Sequence, residues 1–244
     1  MKKLFLFAAV MFSSISFSSC SEDDNKENQT SQKLLKQIEE ISADKTIYYD
    51  FSYDDQQRLA KVIVDGDICY SNGDFTYTYT DNSVGVKFNS SCGDEYSYDA
   101  AFALDHNGYV TEFDINGKIN WRYEYENGYV SKKQSTSVVS PLFWTYRWEN
   151  GNLMEQRNSY SNSTTYTYTD KPNKLNINLF DAQFGLSNFG IFAYVVFLPT
   201  NFKGSIPSNY PASADNSNIY YEYDDEGYPT QIVGPNANYI LTYY

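Results

Sequence analysis

The chain has 244 residues, a length that ordinary single all-β domains reach. Its net charge is −13, and loss of residues 1–19 removes two lysines and no acid, which leaves −15. Phosphate backbones and anionic membranes attract the opposite sign, so nucleic acid is excluded as a partner and so is a membrane held by charge alone.

The N-terminus reads as an address. Met1-Lys2-Lys3 and the apolar run Leu4–Phe12 make a basic lead and a hydrophobic stretch too short to span a bilayer. Ser18-Ser19 then meet Cys20. This resembles the lipobox of bacterial lipoproteins, with Phe17 where leucine is usual, and relaxed boxes of this kind are common in Bacteroidetes. The resemblance implies that residues 1–19 are a lipoprotein signal peptide and that Cys20 is lipidated as the first mature residue. Ser21-Glu22-Asp23-Asp24-Asn25 resembles the export signal that carries Bacteroidetes lipoproteins to the outer face of the outer membrane. A cell-surface lipoprotein is therefore expected, with 20–30 as an acidic tether; a plain solvated linker is the alternative.

Residues 31–244 read as one domain. Thr30 or Ser31 can cap a helix, and Leu34, Leu35, Ile38 and Ile41 recur near helical spacing, which predicts a short helix over 31–43. From Tyr53 onward, aromatics alternate with polar residues in Phe75-Thr76-Tyr77-Thr78-Tyr79, Trp121-Arg122-Tyr123-Glu124-Tyr125, Trp144-Thr145-Tyr146-Arg147-Trp148 and Tyr221-Glu222-Tyr223. That period puts every second side chain on one face of a strand. Turns follow at Asp54-Asp55, Asp81-Asn82, Asn107-Gly108, Asn127-Gly128, Asn150-Gly151, Lys171-Pro172-Asn173 and Glu226-Gly227. Asn-Gly between alternating strands is the strongest short hairpin signal, because both residues tolerate positive φ. The result is an antiparallel hairpin meander. The strands leaving the turns alternate less cleanly, and Tyr129–Gln134 and Leu153–Asn158 turn polar early. A two-residue Asn127-Gly128 loop sets Tyr123 opposite Lys132, and a longer loop changes that partner. Twenty-five residues are tyrosine; the ring suits a half-wet sheet, with selection for ligand binding as the alternative.

Two families resemble this pattern. Tyr221-Glu222-Tyr223-Asp224-Asp225-Glu226-Gly227 is similar to the tyrosine-aspartate repeats of Rhs toxins and teneurin shells. The lipobox, the leading helical pattern, Tyr53-Asp54-Asp55-Gln56-Gln57-Arg58-Leu59 and an apolar insertion before the last hairpin resemble an uncharacterised Bacteroidetes lipoprotein family described as having a porin-like fold. That resemblance implies a curled, barrel-like antiparallel sheet and carries no catalytic residue. Arg122, Lys132, Arg147 and Glu155 interrupt the strands, so a soluble, lipid-tethered barrel is expected and not a membrane-spanning one.

The insertion is 180–218. Phe184, Leu186, Phe189, Phe192 and Val196 have rough helical spacing, weakened by Gly185 and Gly190, and 201–218 reads as a loop. A plug closing one end of the curled sheet is expected; a lid over a ligand is the alternative.

Chemistry is sparse. His106 lies in a turn with no serine or cysteine at an activating spacing, His and Cys are too few for zinc, and no phosphate loop appears. No metal, cofactor or catalytic residue is assigned. Cys69 and Cys92 are expected to form a disulfide in the oxidising exported compartment, worth ~3 kcal/mol by loop closure, with two free thiols as the alternative. The functional expectation is a non-catalytic surface module that binds glycan or protein through exposed aromatics, the candidates being Trp121, Tyr123, Trp144, Tyr146 and Trp148. The alternatives are a structural envelope protein and, last, a glycoside-active enzyme using turn carboxylates.

Overall fold

The computed structural model describes residues 32–66, 72–137, 142–175, 204 and 206–244. Cys20, Cys69 and residues 180–203 and 205 of the insertion therefore lie outside the described residues. The described chain is all β. Its first strands are β1 Leu35–Ile41, β2 Thr46–Tyr53, β3 Leu59–Asp65, β4 Gly73–Tyr79, β5 Ser83–Ser90 and β6 Tyr98–Leu104. Next come β7 Val110–Ile115, β8 Lys118–Glu126, β9 Tyr129–Ser135, β10 Phe143–Glu149, β11 Asn152–Asn158 and β12 Ser163–Pro172. The last five are β13 Asn209–Ala214, β14 Ser217–Asn218, β15 Tyr220–Tyr223, β16 Pro229–Val233 and β17 Asn238–Tyr243.

Every ladder is antiparallel, and from β1 to β14 each strand pairs with the next. The ladder resumes at β15 with β16 and β17, and β17 returns to β1. Between β14 and β15, Ile219 still donates its N–H to the Ala212 carbonyl, so the two strands are successive halves of one path. Counted as one, they give the ring an even number of strands, as an all-antiparallel closure requires. The sheet is a nearly closed barrel. One end carries the turns at Asp54–Arg58, Asp81-Asn82, Asp105–Tyr109, Asn127-Gly128, Asn150-Gly151 and Asp224–Tyr228, and the chain enters β1 there; the Ser42–Lys45, Asn116-Gly117, Asn158–Asn162 and Gly234–Ala237 turns mark the far end.

Two predicted elements differ. The expected N-terminal helix is strand β1, held on both edges. Its helix-like Leu35-to-Ile38 spacing comes from a β-bulge at Lys36, which adds one residue between two inward positions. The expected loop at 201–218 contains β13 and β14, because β12 runs on through Pro172 and pairs with β13 where a turn at Lys171–Asn173 was predicted.

That bulge is the rule of the fold. In β1, β3, β7, β9, β11 and β16 the second residue of the bulged step (Lys36, Ala60, Thr111, Ser131, Met154 and Thr230) has no partner in the register. Inward side chains are therefore spaced by three: Leu35 and Ile38, Leu59 and Val62, Val110 and Phe113, Val130 and Lys133, Leu153 and Gln156, Pro229 and Ile232. A bulge disturbs the carbonyl just before it, and a buried carbonyl needs a donor. Aromatics on the neighbouring strand supply five. Tyr53 and Tyr79 hydroxyls donate to Leu35 and Leu59 carbonyls at 2.8 Å, and Trp148 Nε1 donates to Val130 at 2.8 Å. Tyr168 and Tyr243 hydroxyls donate to Leu153 and Pro229 at 2.7 Å. Here lies a physical use for so much tyrosine: the ring fills the interior and the hydroxyl reaches a backbone oxygen.

Turn chemistry follows two plans. Asp54, Asp105, Asn158 and Asp224 each accept, at Oδ1, the N–H groups two and four residues on. Asn116-Gly117, Asn127-Gly128 and Asn150-Gly151 are two-residue loops with positive φ at both positions. The Asn127-Gly128 loop thus has the expected length, but the bulge at Ser131 sets Tyr123 opposite Lys133, not Lys132.

The interior is apolar and aromatic, and the outer face is charged. Phe51, Val62, Phe75, Val86, Phe88 and Phe102 are buried. Outside, Arg122 pairs with Glu112, Lys132 with Glu124, and Arg147 and Arg157 with Glu155. Such exposed pairs add little stability.

Candidate functional site

The five candidate aromatics come together on the inner side of β8 and β10. Tyr123 and Tyr146 are buried, at 6% and 7% exposure, while Trp121, Trp144 and Trp148 are half-buried and pack on the core. The expected exposed row is absent because alternation turns these rings inward and leaves Arg122, Glu124, Thr145 and Arg147 outside. Trp148 stacks on Tyr129 with ring centroids 4.8 Å apart, and its N–H is spent on the Val130 carbonyl. Trp148 is thus a part of the sheet.

Trp121 and Trp144 do something else. Their rings meet edge to face at 5.2 Å, and the Lys133 ammonium lies 4.4 Å from the Trp121 centroid and 5.6 Å from that of Trp144. Lys133 is only 5% exposed. It is the ladder partner of both Tyr123 and Trp144, so one strand of β9 carries a cation between two aromatic strands. A desolvated ammonium over an indole face gains about 2 kcal/mol or more. Across β10, Gln156 is the partner of Tyr146, and its Oε1 accepts from the Tyr166 hydroxyl at 3.3 Å. Lys133 and Gln156 were not legible as inward residues, because the bulges at Ser131 and Met154 reverse the face that simple alternation assigns. The signal was the three-residue spacing from Val130 and Leu153, shared with Leu59–Val62 and Val110–Phe113.

The carboxylates divide by position. In Asp105, N–H groups of Tyr109 and Asn107 hold the carboxyl below the ordinary range. Burial opposes the same effect in Asp54 and Asp224, yet Arg58 and its N–H, and Lys33 with the Tyr228 N–H, draw both below it. A turn carboxylate so occupied is a poor general acid. Glu40 is the reverse case: 3% exposed on the inner face of β1, it is pushed up by burial. His106 is exposed in its turn, as a solvated tip residue would be. Among the described residues no group of three or more His, Cys, Asp or Glu gathers as a metal site. Cys92 is disulfide-bonded; its expected partner, Cys69, lies outside the described residues.

No family model matches the chain, and no curated protein does. A crystal structure of a porin-like protein from Bacteroides vulgatus is similar in fold, with a TM-score of 0.55 at 14% identity. The match covers 87% of this chain and 99% of that one. At this identity the likeness shows a shared barrel-like architecture alone.

Proposed function

We propose that the protein is a lipid-anchored envelope protein, displayed at the cell surface, that works as a non-catalytic binding module with a glycan as its ligand. One observation carries the binding reading. The second inward position after each bulge is Ile38, Val62, Phe113 or Ile232 in four strands, but Lys133 and Gln156 in the two that flank β10. Buried polar side chains lose to apolar ones of similar shape in stability, so a chain that breaks its own packing rule does so where something else is gained. The break falls beside Trp121, Trp144 and Tyr146. Flat ring faces with an amide and an ammonium between them are the means by which proteins hold sugar rings and hydroxyls.

The charged outer face supports a barrel standing in water. A membrane-spanning barrel presents an apolar band outward and a polar lumen, and this sheet has the opposite polarity. Attachment then falls to the lipid on Cys20. A structural envelope protein is the second reading, favoured by the five aromatics spent on backbone carbonyls.

The test is a glycan array with the mature chain beside Lys133→Met/Gln156→Leu, which restores the apolar rule. Binding by the wild type, lost in a variant that stays folded and no less stable, is the expected result. A folded wild type that binds no glycan, with a variant of lower stability, would assign the polar pair to the fold. Detergent phase partition of the wild type and of Cys20→Ser reads the anchor separately: only the wild type should enter the detergent phase.

A further inference from the structure

β1 is the closing piece of the ring, with β17 on one edge and β2 on the other. Its inward side chains are Leu35, Ile38 and Glu40, all buried. Glu40 is used neither by the hairpin plan nor by the Trp121–Lys133–Trp144 cluster. Among the described residues, three titratable groups face it. Tyr49, from β2, donates its hydroxyl to Glu40 Oε2 at 2.8 Å. Tyr239, from β17, is its ladder partner. Lys45, from the turn between β1 and β2, acts on it through space. A carboxylate removed from water with one phenol donor and one distant cation is under-compensated, whereas the neutral acid is not. Burial raises the Glu40 pKa against the opposing pull of Tyr49 and Lys45. Burial also keeps the Tyr49 phenol protonated, and so a donor, far above neutral pH.

We propose that Glu40 is a protonation latch on barrel closure: as the neutral acid it keeps the β1 seam shut, and as the anion it loosens β1 from β17 and β2. The sign is fixed by linkage. A group whose folded pKa is raised contributes stability that is complete below the unfolded glutamate value and is lost as pH rises through the folded one. Local opening of β1 should therefore grow by up to about tenfold per pH unit between those two values, and stay flat outside them.

Hydrogen exchange of the full mature chain from acid to alkaline pH, corrected for intrinsic rates, reads this directly. Amides of Ile38–Ile41 should lose protection through one pH window while those of Phe75–Tyr77 in β4 do not. Glu40→Gln should abolish the window. Tyr49→Phe removes the donor that favours the anion, so it should move the upper edge of the window to higher pH. The proposal is overturned if β1 and β4 respond alike, or if the β1 response survives in Glu40→Gln. Should Glu40→Gln fail to fold, the wild-type contrast and the Tyr49→Phe shift decide it, and an unmoved window overturns it.

Discussion

The interior lined by β2–β7 and the interior lined by β8–β12 share one hairpin plan and are filled by different chemistry. In the first, Phe75 stacks on Phe88 at 4.5 Å and Phe102 on Phe113 at 4.7 Å, among valines, and these rings are buried. In the second, Tyr, Trp, Lys133 and Gln156 take the same inward positions, and several rings are only half-buried. Both halves have a bulge after a turn with an aromatic donor on the carbonyl before it, at Leu59 in the first and at Val130 and Leu153 in the second. Backbone plan and side-chain filling are therefore separable. The plan sets register; the filling is free to be dry or polar.

That separation can be broken by measurement. Phe88→Ala should cost about 3–5 kcal/mol in chemical denaturation, as for a fully buried ring. Trp121→Ala, at a half-buried ring, should cost clearly less, and an equal loss would mean that the second half is as dry as the first. Gly151 has φ +79, and a Cβ there would run into the Ser208 side chain. Gly151→Ala should lose about 1–2 kcal/mol and more than Gly117→Ala, where φ is +73 but the space is open. Tyr168→Phe and Tyr79→Phe each strip one carbonyl of its donor and remove nothing else, one in each half. Each should lower stability by about 1 kcal/mol; unequal losses would show that the plan is not common to both. Lys133→Met should fall within about 1 kcal/mol of the wild type, the smallest effect of the set.

Much of this was readable from the chain. Alternating aromatics gave the strands, Asn-Gly and Asp-rich turns gave the hairpins, and the two-residue loop at Asn127-Gly128 has its expected length. What alternation could not carry was the bulge. One inserted residue turns a period of two into a spacing of three, so Leu35 and Ile38 read as helix and Lys133 read as outward. The strands leaving the turns looked irregular for the same reason, although their irregularity is itself periodic. β13 was hidden otherwise: Asn209-Tyr210-Pro211-Ala212-Ser213-Ala214 has a loop composition, and only its ladder with β12 makes it a strand.

Closure by β1 also has a consequence in time. Leu35 pairs with Tyr243, so the earliest described strand finds its second partner only when the last one exists. Until then β1 has β2 alone, and an unfinished sheet offers free strand edges that invite other chains. Contacts so distant along the chain also form slowly. A chain that loses Asn238–Tyr243 would thus not be a slightly smaller barrel but an open ribbon with sticky margins, prone to aggregate.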